Sequence, residues 1–178
     1  MMRKLFENTT GIATGSDMCL RHLANLSLQL AAFKGEGLTD DRCWIKKCHF
    51  PLCLPFQPQH DSDIAVICTR NPFDVSPSFF YIMWTQTHNI KFKEDLTKEP
   101  IWAYWKDFQA RCAQMWNQWH AYWIACAEEG NIPVYFFRFE DVLADKKNEM
   151  EKLMKFIAGV DGGIEGTVLE ERVNEVFG

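Results

Sequence analysis

Arg42-Cys43-Trp44-Ile45-Lys46-Lys47-Cys48-His49 is stopped by Phe50-Pro51, and Ile64-Ala65-Val66-Ile67-Cys68-Thr69 runs into Arg70-Asn71-Pro72-Phe73-Asp74 and then Ser78. The second segment is a short continuous apolar run, the pattern of a strand buried on both faces in a parallel sheet. In such sheets ligands gather at the carboxyl ends of the strands, where loops and helix N-termini supply donors. Both segments carry basic residues at that end. Strand alternation places Lys47 and His49 on one face and Cys48 on the other. The result is a cation beside a candidate general base. After the second strand, Asn71 is a candidate N-cap and Pro72 a candidate first helical residue. Arg70 beside the free N–H groups of that helix start forms a phosphate receptor. The stretch is not Gly-rich and is no Walker loop.

Read singly, a His before Phe-Pro is a loop residue and an Arg at a strand end is a surface charge. At matched strand ends the two together favour a functional reading. A third short apolar strand, Val134–Phe139, follows the turn bracketed by Gly130 and Pro133. Three such strands separated by helical sequence predict a three-layer α/β domain with a parallel sheet.

The remaining chain is mostly helical in pattern. Met1 to Glu7 reads as the end of a helix closed by Gly11, and Asp17 to Lys34 as an amphipathic helix capped by Ser16 or Asp17 and ended by Gly35. Leu52 to Asp63, with Pro55 and Pro58, is loop, and so is the polar stretch His88 to Lys98. From Pro72 a helix runs to about Thr87, with Pro77 inside it. Between Pro100 and Glu128, Ile101, Trp105, Phe108, Cys112, Met115, Trp119, Tyr122 and Cys126 alternate at four- and three-residue steps. That stripe reads first as a helix face packed on the sheet, and second as an aromatic groove. Trp102, Trp116 and Trp123 fall off the stripe, which leaves aromatic surface on helix 100–128 for a protein partner. Asp145 caps a helix through Ile157, and Val168 to Val176 forms a short acidic helix.

Composition sets the outer limits. The chain has 178 residues, enough for one domain with a real core, and 47% of them are hydrophobic. Its formal charge of −5 argues against a general nucleic-acid binder, so an anionic ligand needs a local pocket supplied by Lys46, Lys47 and Arg70. The seven cysteines are irregularly spaced and odd in number, unlike a disulfide framework. Their setting in apolar runs suits a reducing compartment. With neither a transmembrane run nor an apolar signal core behind Met1, the cytoplasm is favoured for the chain as given. Cys43, Cys48 and Cys53 lack the close pairing of structural zinc ligands, so no metal site is expected.

The blocks Lys47-Cys48-His49-Phe50-Pro51, Arg70-Asn71-Pro72-Phe73-Asp74 with Ser78, and Val134 through Phe139-Glu140-Asp141 resemble, in order, motifs of the PAPS-dependent sulfotransferase family. Thr10–Asp17 is similar to a segment of the sulfotransferase-like branch that includes the WSC-domain proteins. The resemblance implies a P-loop-NTPase-like sheet and transfer of a sulfuryl group from PAPS (3′-phosphoadenosine 5′-phosphosulfate) to an unidentified acceptor hydroxyl or amine, without a metal. His49 would take the acceptor proton, and Lys47 would stabilise charge on the transferring oxygens. Arg70 and Ser78 would hold the 3′-phosphate, with Phe139 where an adenine-contacting Tyr is usual.

Two family elements have no match. The first strand with the loop that wraps the 5′-phosphosulfate would precede Met1, and the Arg-Lys-Gly half of the 3′-phosphate clamp is not found before Gly178. The expectation is therefore one partial domain over 1–178. Besides an enzyme, a non-catalytic structural or partner-binding relative stays open. A nucleotide kinase on the same sheet gains nothing from the Lys47–Pro51 block.

Overall fold

The computed structural model describes residues 2–17, 33, 35–40, 42–51, 62–85, 95–159 and 163–178. The helix expected over Asp17–Lys34, most of the loop from Leu52 and most of the stretch from His88 lie outside these residues. The described chain is α/β, with helices around parallel strand pairs. It forms two compact units, residues 1–63 with 146–178, and residues 64–145.

In the first unit, α1 (Met2–Thr10) ends where Gly11, at φ 72°, donates its N–H to Glu7 C=O at 2.9 Å. Such left-handed geometry favours glycine. Two very short strands then pair in parallel: β1 (Gly15–Ser16) and β2 (Lys46–Lys47), with Gly15 opposite Lys46 and Ser16 opposite Lys47. The extended run expected from Cys43 to Cys48 is thus only two residues long. Its start is turned aside because Cys43 N–H bonds Asp40 C=O at 3.1 Å, while the Asp40 carboxylate accepts from the Arg42 backbone N–H and guanidinium. A turn held at three points cannot also join the ladder.

The helices α5 (Lys146–Ala158) and α6 (Val168–Phe177) complete this unit, and α6 packs against both α5 and α1. Met150, Leu153 and Met154 of α5 are fully buried, as their helical spacing required, as is Val173, and Phe6 and Ile164 are buried with them. Thr167 caps α6 by accepting Glu170 N–H, and Glu170 reaches back to accept Gly166 N–H at 2.6 Å. This reciprocal arrangement resembles a capping box displaced by one residue.

The second unit is built on β3 (Ala65–Thr69) and β4 (Val134–Arg138), parallel and in register from Ala65 opposite Val134 to Thr69 opposite Arg138. Between them run α2 (Pro72–Thr85) and α3 (Ile101–Glu129), and α4 (Phe139–Ala144) follows β4 directly. Asn71 caps α2 as expected, its side chain accepting Phe73 N–H at 2.9 Å. The helix continues through Pro77, which can offer no N–H to Phe73 C=O. Phe139, expected as the last strand residue, instead opens α4.

Phe80 anchors the contact between α2 and α3, with ring centroids 5.3 Å from Trp105 and 5.1 Å from Phe108, both edge-on. The inward face of α3 departs from the expected stripe. Trp105 and Cys112 are buried on it, but Trp123 is buried while Tyr122 is exposed. A strict seven-residue repeat drifts about 20° per heptad on a straight helix, whereas eighteen residues complete about five turns. Trp105 and Trp123 therefore share one face, and α3 follows that geometry over its 29 residues. No helix among the described residues is long and apolar enough to cross a membrane.

Candidate functional site

The parallel pairing of β1 and β2 carries the chain beyond Ser16 alongside the chain beyond Lys47. Asp17 N–H donates to Lys47 C=O at 2.9 Å, which sets the Asp17 carboxyl next to His49. One carboxylate oxygen accepts the His49 backbone N–H at 2.7 Å, and the other lies 2.7 Å from His49 Nδ1. The Asp17 side chain is only 5% exposed and that of His49 28%. A carboxylate oxygen accepts, so Nδ1 carries the proton and Nε2 is the basic nitrogen of the neutral ring. The pKa of His49 lies below its ordinary 6.5, first because burial disfavours imidazolium and second because Lys47 is a neighbouring cation. Asp17 opposes both through its hydrogen bond and charge. Lys47 keeps much of its side chain exposed, yet crowding by surrounding atoms lowers its ammonium pKa, with Arg3 adding to the effect and Glu36 and Asp17 opposing it.

A buried polar network holds this strand pair. Arg3 forms an ion pair with Glu36 and donates to Thr14 Oγ1 and Thr14 C=O, each at 2.8 Å. Glu7 accepts from Thr14 N–H at 3.0 Å and from its hydroxyl at 2.8 Å. Gly15 and Gly35 are tied to close backbone approach. A Cβ on Gly15 would run into Leu38 C=O, and one on Gly35 into Thr14 C=O.

The second unit has its own constellation. Because Thr69 and Arg138 are register partners, the next residues, Arg70 and Phe139, emerge together at the carboxyl ends of β3 and β4. The Arg70 guanidinium carbon lies 4.6 Å from the Phe139 ring centroid, a cation–π contact. Glu140 accepts Asn71 N–H at 2.8 Å, and this bond with its own backbone N–H holds its carboxyl below the usual range. From α3, Trp116 donates its indole N–H to Arg70 C=O at 3.1 Å. His120 stacks on Trp116 at 3.6 Å and donates Nδ1–H to Trp116 C=O at 2.7 Å.

An open cleft of ≈ 360 Å³ lies here, lined by Thr69–Asn71, Trp116, His120, Arg138 and Glu140. Arg70 Nε and His120 Nε2 are buried without a hydrogen-bond partner among the described residues.

Residues 39–174 match the sulfotransferase domain family. The chain belongs to that family. No curated protein and no solved structure matches it.

The site residues expected for a sulfotransferase fall into two groups. Lys47 and His49 lie together at the end of β2, and Arg70 and Phe139 lie together at the strand ends of the second unit. Ser78 sits in the second turn of α2, exposed, and does not line the cleft. The Phe139 ring lies under the Arg70 guanidinium carbon. Sequence reasoning missed Asp17, assigned there to a helix cap, and also Trp116, assigned to surface, and His120, which it did not single out. For the last two, the i, i+4 spacing of an indole and an imidazole was the available signal.

Proposed function

We propose that this sulfotransferase-family chain serves transfer of a sulfuryl group from PAPS to an acceptor hydroxyl or amine, on the three-layer P-loop-like sheet implied by the resemblance. The observation that carries the reading is the His49–Asp17 pair beside Lys47. A neutral imidazole, its Nδ1–H held by a buried carboxylate, is a general base with a defined basic atom. The donor supplies an electrophilic sulfur and a phosphate leaving group. As the acceptor oxygen or nitrogen forms its bond to sulfur, the acceptor proton passes to His49 Nε2 and the sulfur–oxygen bond to the leaving group breaks. The Lys47 ammonium stabilises the negative charge on the transferring group.

The 3′-phosphate of the donor fits the strand-end cleft on one structural ground. Arg70 Nε is a buried donor without a partner among the described residues, and a phosphate oxygen would satisfy it. Trp116 fixes the Arg70 backbone and Phe139 backs its guanidinium, so the arginine is held before any ligand arrives. Ser78 remains a proposed second phosphate contact, from its position in α2.

Two measurements test this reading. Calorimetry with adenosine 3′,5′-bisphosphate should give binding that Arg70→Ala abolishes. Transfer of labelled sulfuryl from PAPS to a panel of hydroxyl and amine acceptors should be lost in His49→Ala, with bisphosphate binding retained. Equal bisphosphate binding by Arg70→Ala removes that residue from the site. Undiminished transfer without His49 rejects the mechanism.

A further inference from the structure

We infer that Asp17 is the positioning residue of the active-site base: its carboxylate fixes His49 in the Nδ1–H tautomer and thereby assigns Nε2 as the atom that takes the acceptor proton. The inference rests on the function proposed above. It adds a residue lying outside the segment that matches the family, which begins at residue 39.

Both carboxylate oxygens are committed to one residue. One accepts the His49 backbone N–H and the other the ring Nδ1–H, each at 2.7 Å. A ring held at a single point could rotate about its side-chain bonds. Here the backbone bond fixes the base of the side chain relative to the same carboxylate that holds the ring. Asp17 is itself tied down, with its N–H on Lys47 C=O and its side chain buried. A carboxylate presents only acceptors at both positions, so the Nδ1–H tautomer is the one it can bond. Asn cannot do the same. If its amide oxygen takes the backbone N–H, its NH₂ faces Nδ1, and the ring must move its proton to Nε2 to accept. If the amide is flipped, two donors face each other at the backbone.

Among the described residues, the charged groups near the ring are Lys47, Asp17 and Glu36, with Arg3 beside Lys47. Lys47 and burial lower the His49 pKa, whereas Asp17 and Glu36 raise it. Removing the Asp17 charge therefore moves the midpoint further down.

The test is ¹⁵N NMR of the imidazole rings in the full chain, with His49 assigned by its loss in His49→Gln. Wild type at neutral pH should show Nδ1 protonated and Nε2 unprotonated. Asp17→Asn should invert this tautomer and lower the titration midpoint of His49. Where transfer is measurable, Asp17→Asn should slow kcat on the order of 100- to 10,000-fold, as loss of a usable general base does, with bisphosphate affinity unchanged.

A wild-type His49 protonated on Nε2 overturns the inference without any variant, so a failure of Asp17→Asn to fold leaves it decidable. An unchanged tautomer and midpoint in Asp17→Asn also overturn it, as does full turnover by that variant. If the spectra follow expectation but wild type transfers sulfuryl to no acceptor, the positioning by Asp17 stands and the proposed function fails.

Discussion

Replacing Arg3 by Met should cost this protein about 3–5 kcal/mol, the loss seen when one partner of a buried ion pair is removed and the other stays behind. The structure supports the upper class of effect. The Glu36 side chain is 1% exposed and that of Arg3 14%, so solvent gives little compensation. Arg3 also donates twice to Thr14 and lies 4.6 Å from the Phe33 ring centroid, so four interactions end together. They share one side chain and do not add. Met fills much of the aliphatic volume, so the lost pairing of the guanidinium with the buried Glu36 carboxylate is the main term. With a urea slope of about 1–3 kcal/mol per molar, the midpoint should fall by at least about 1 M. Replacing Glu36 by Leu in the same chain should recover much of the loss, because an apolar pair strands no charge. Urea unfolding followed by circular dichroism measures the stability, and hydrogen exchange over residues 11–17 locates the change. A loss below about 1 kcal/mol in Arg3→Met, or a double variant less stable than the single one, would refute the account of the network as an interdependent buried pair.

Three further outcomes are expected. The rate of sulfuryl transfer should fall as pH drops through a value below 6.5, since His49 is neutral above its lowered pKa; the limb should vanish in His49→Ala if any residual rate is measured. In the same window stability should decline, because the unfolded chain takes up the proton at higher pH than the folded one does, and thermal melts across pH check the sign. Gly15→Ala should destabilise by about 1–3 kcal/mol, since the added Cβ meets backbone at Leu38 and the Cys43 side chain, neither of which can swing aside freely. Trp116→Phe keeps an aromatic side chain but removes the N–H bonded to Arg70 C=O; at about 0.5–1.5 kcal/mol for such a bond, bisphosphate affinity by calorimetry should weaken about 2- to 13-fold.

What the sequence made legible follows from the range over which each signal acts. The run Ile64–Thr69 and the cap Asn71-Pro72 are local patterns; β3 begins and ends within a residue of where the run places it, and α2 begins at Pro72 as the cap requires. Parallel pairing then put Arg70 beside Phe139, a consequence of register that two separate strand motifs could only suggest. The α3 stripe misled for a geometric reason. Counting in alternating steps of four and three imposes a 3.5-residue period, and over five turns that period moves the inferred face away from Trp123.

Asp17 was unreadable for a different reason. Its importance comes from a strand of two residues, too short to show alternation, paired with another of two across a long intervening segment. Local chemistry offered a sufficient explanation, since an Asp before an amphipathic run is a good helix cap. Nothing short of the pairing could tell a capping carboxylate from one that orients a base. The motif around His49 names the base but leaves its tautomer open, because the proton on an imidazole is assigned by whatever faces the other nitrogen. In this chain that group lies 32 positions upstream of His49. The identity of the reacting residue was therefore local information, and the state in which it reacts was tertiary information.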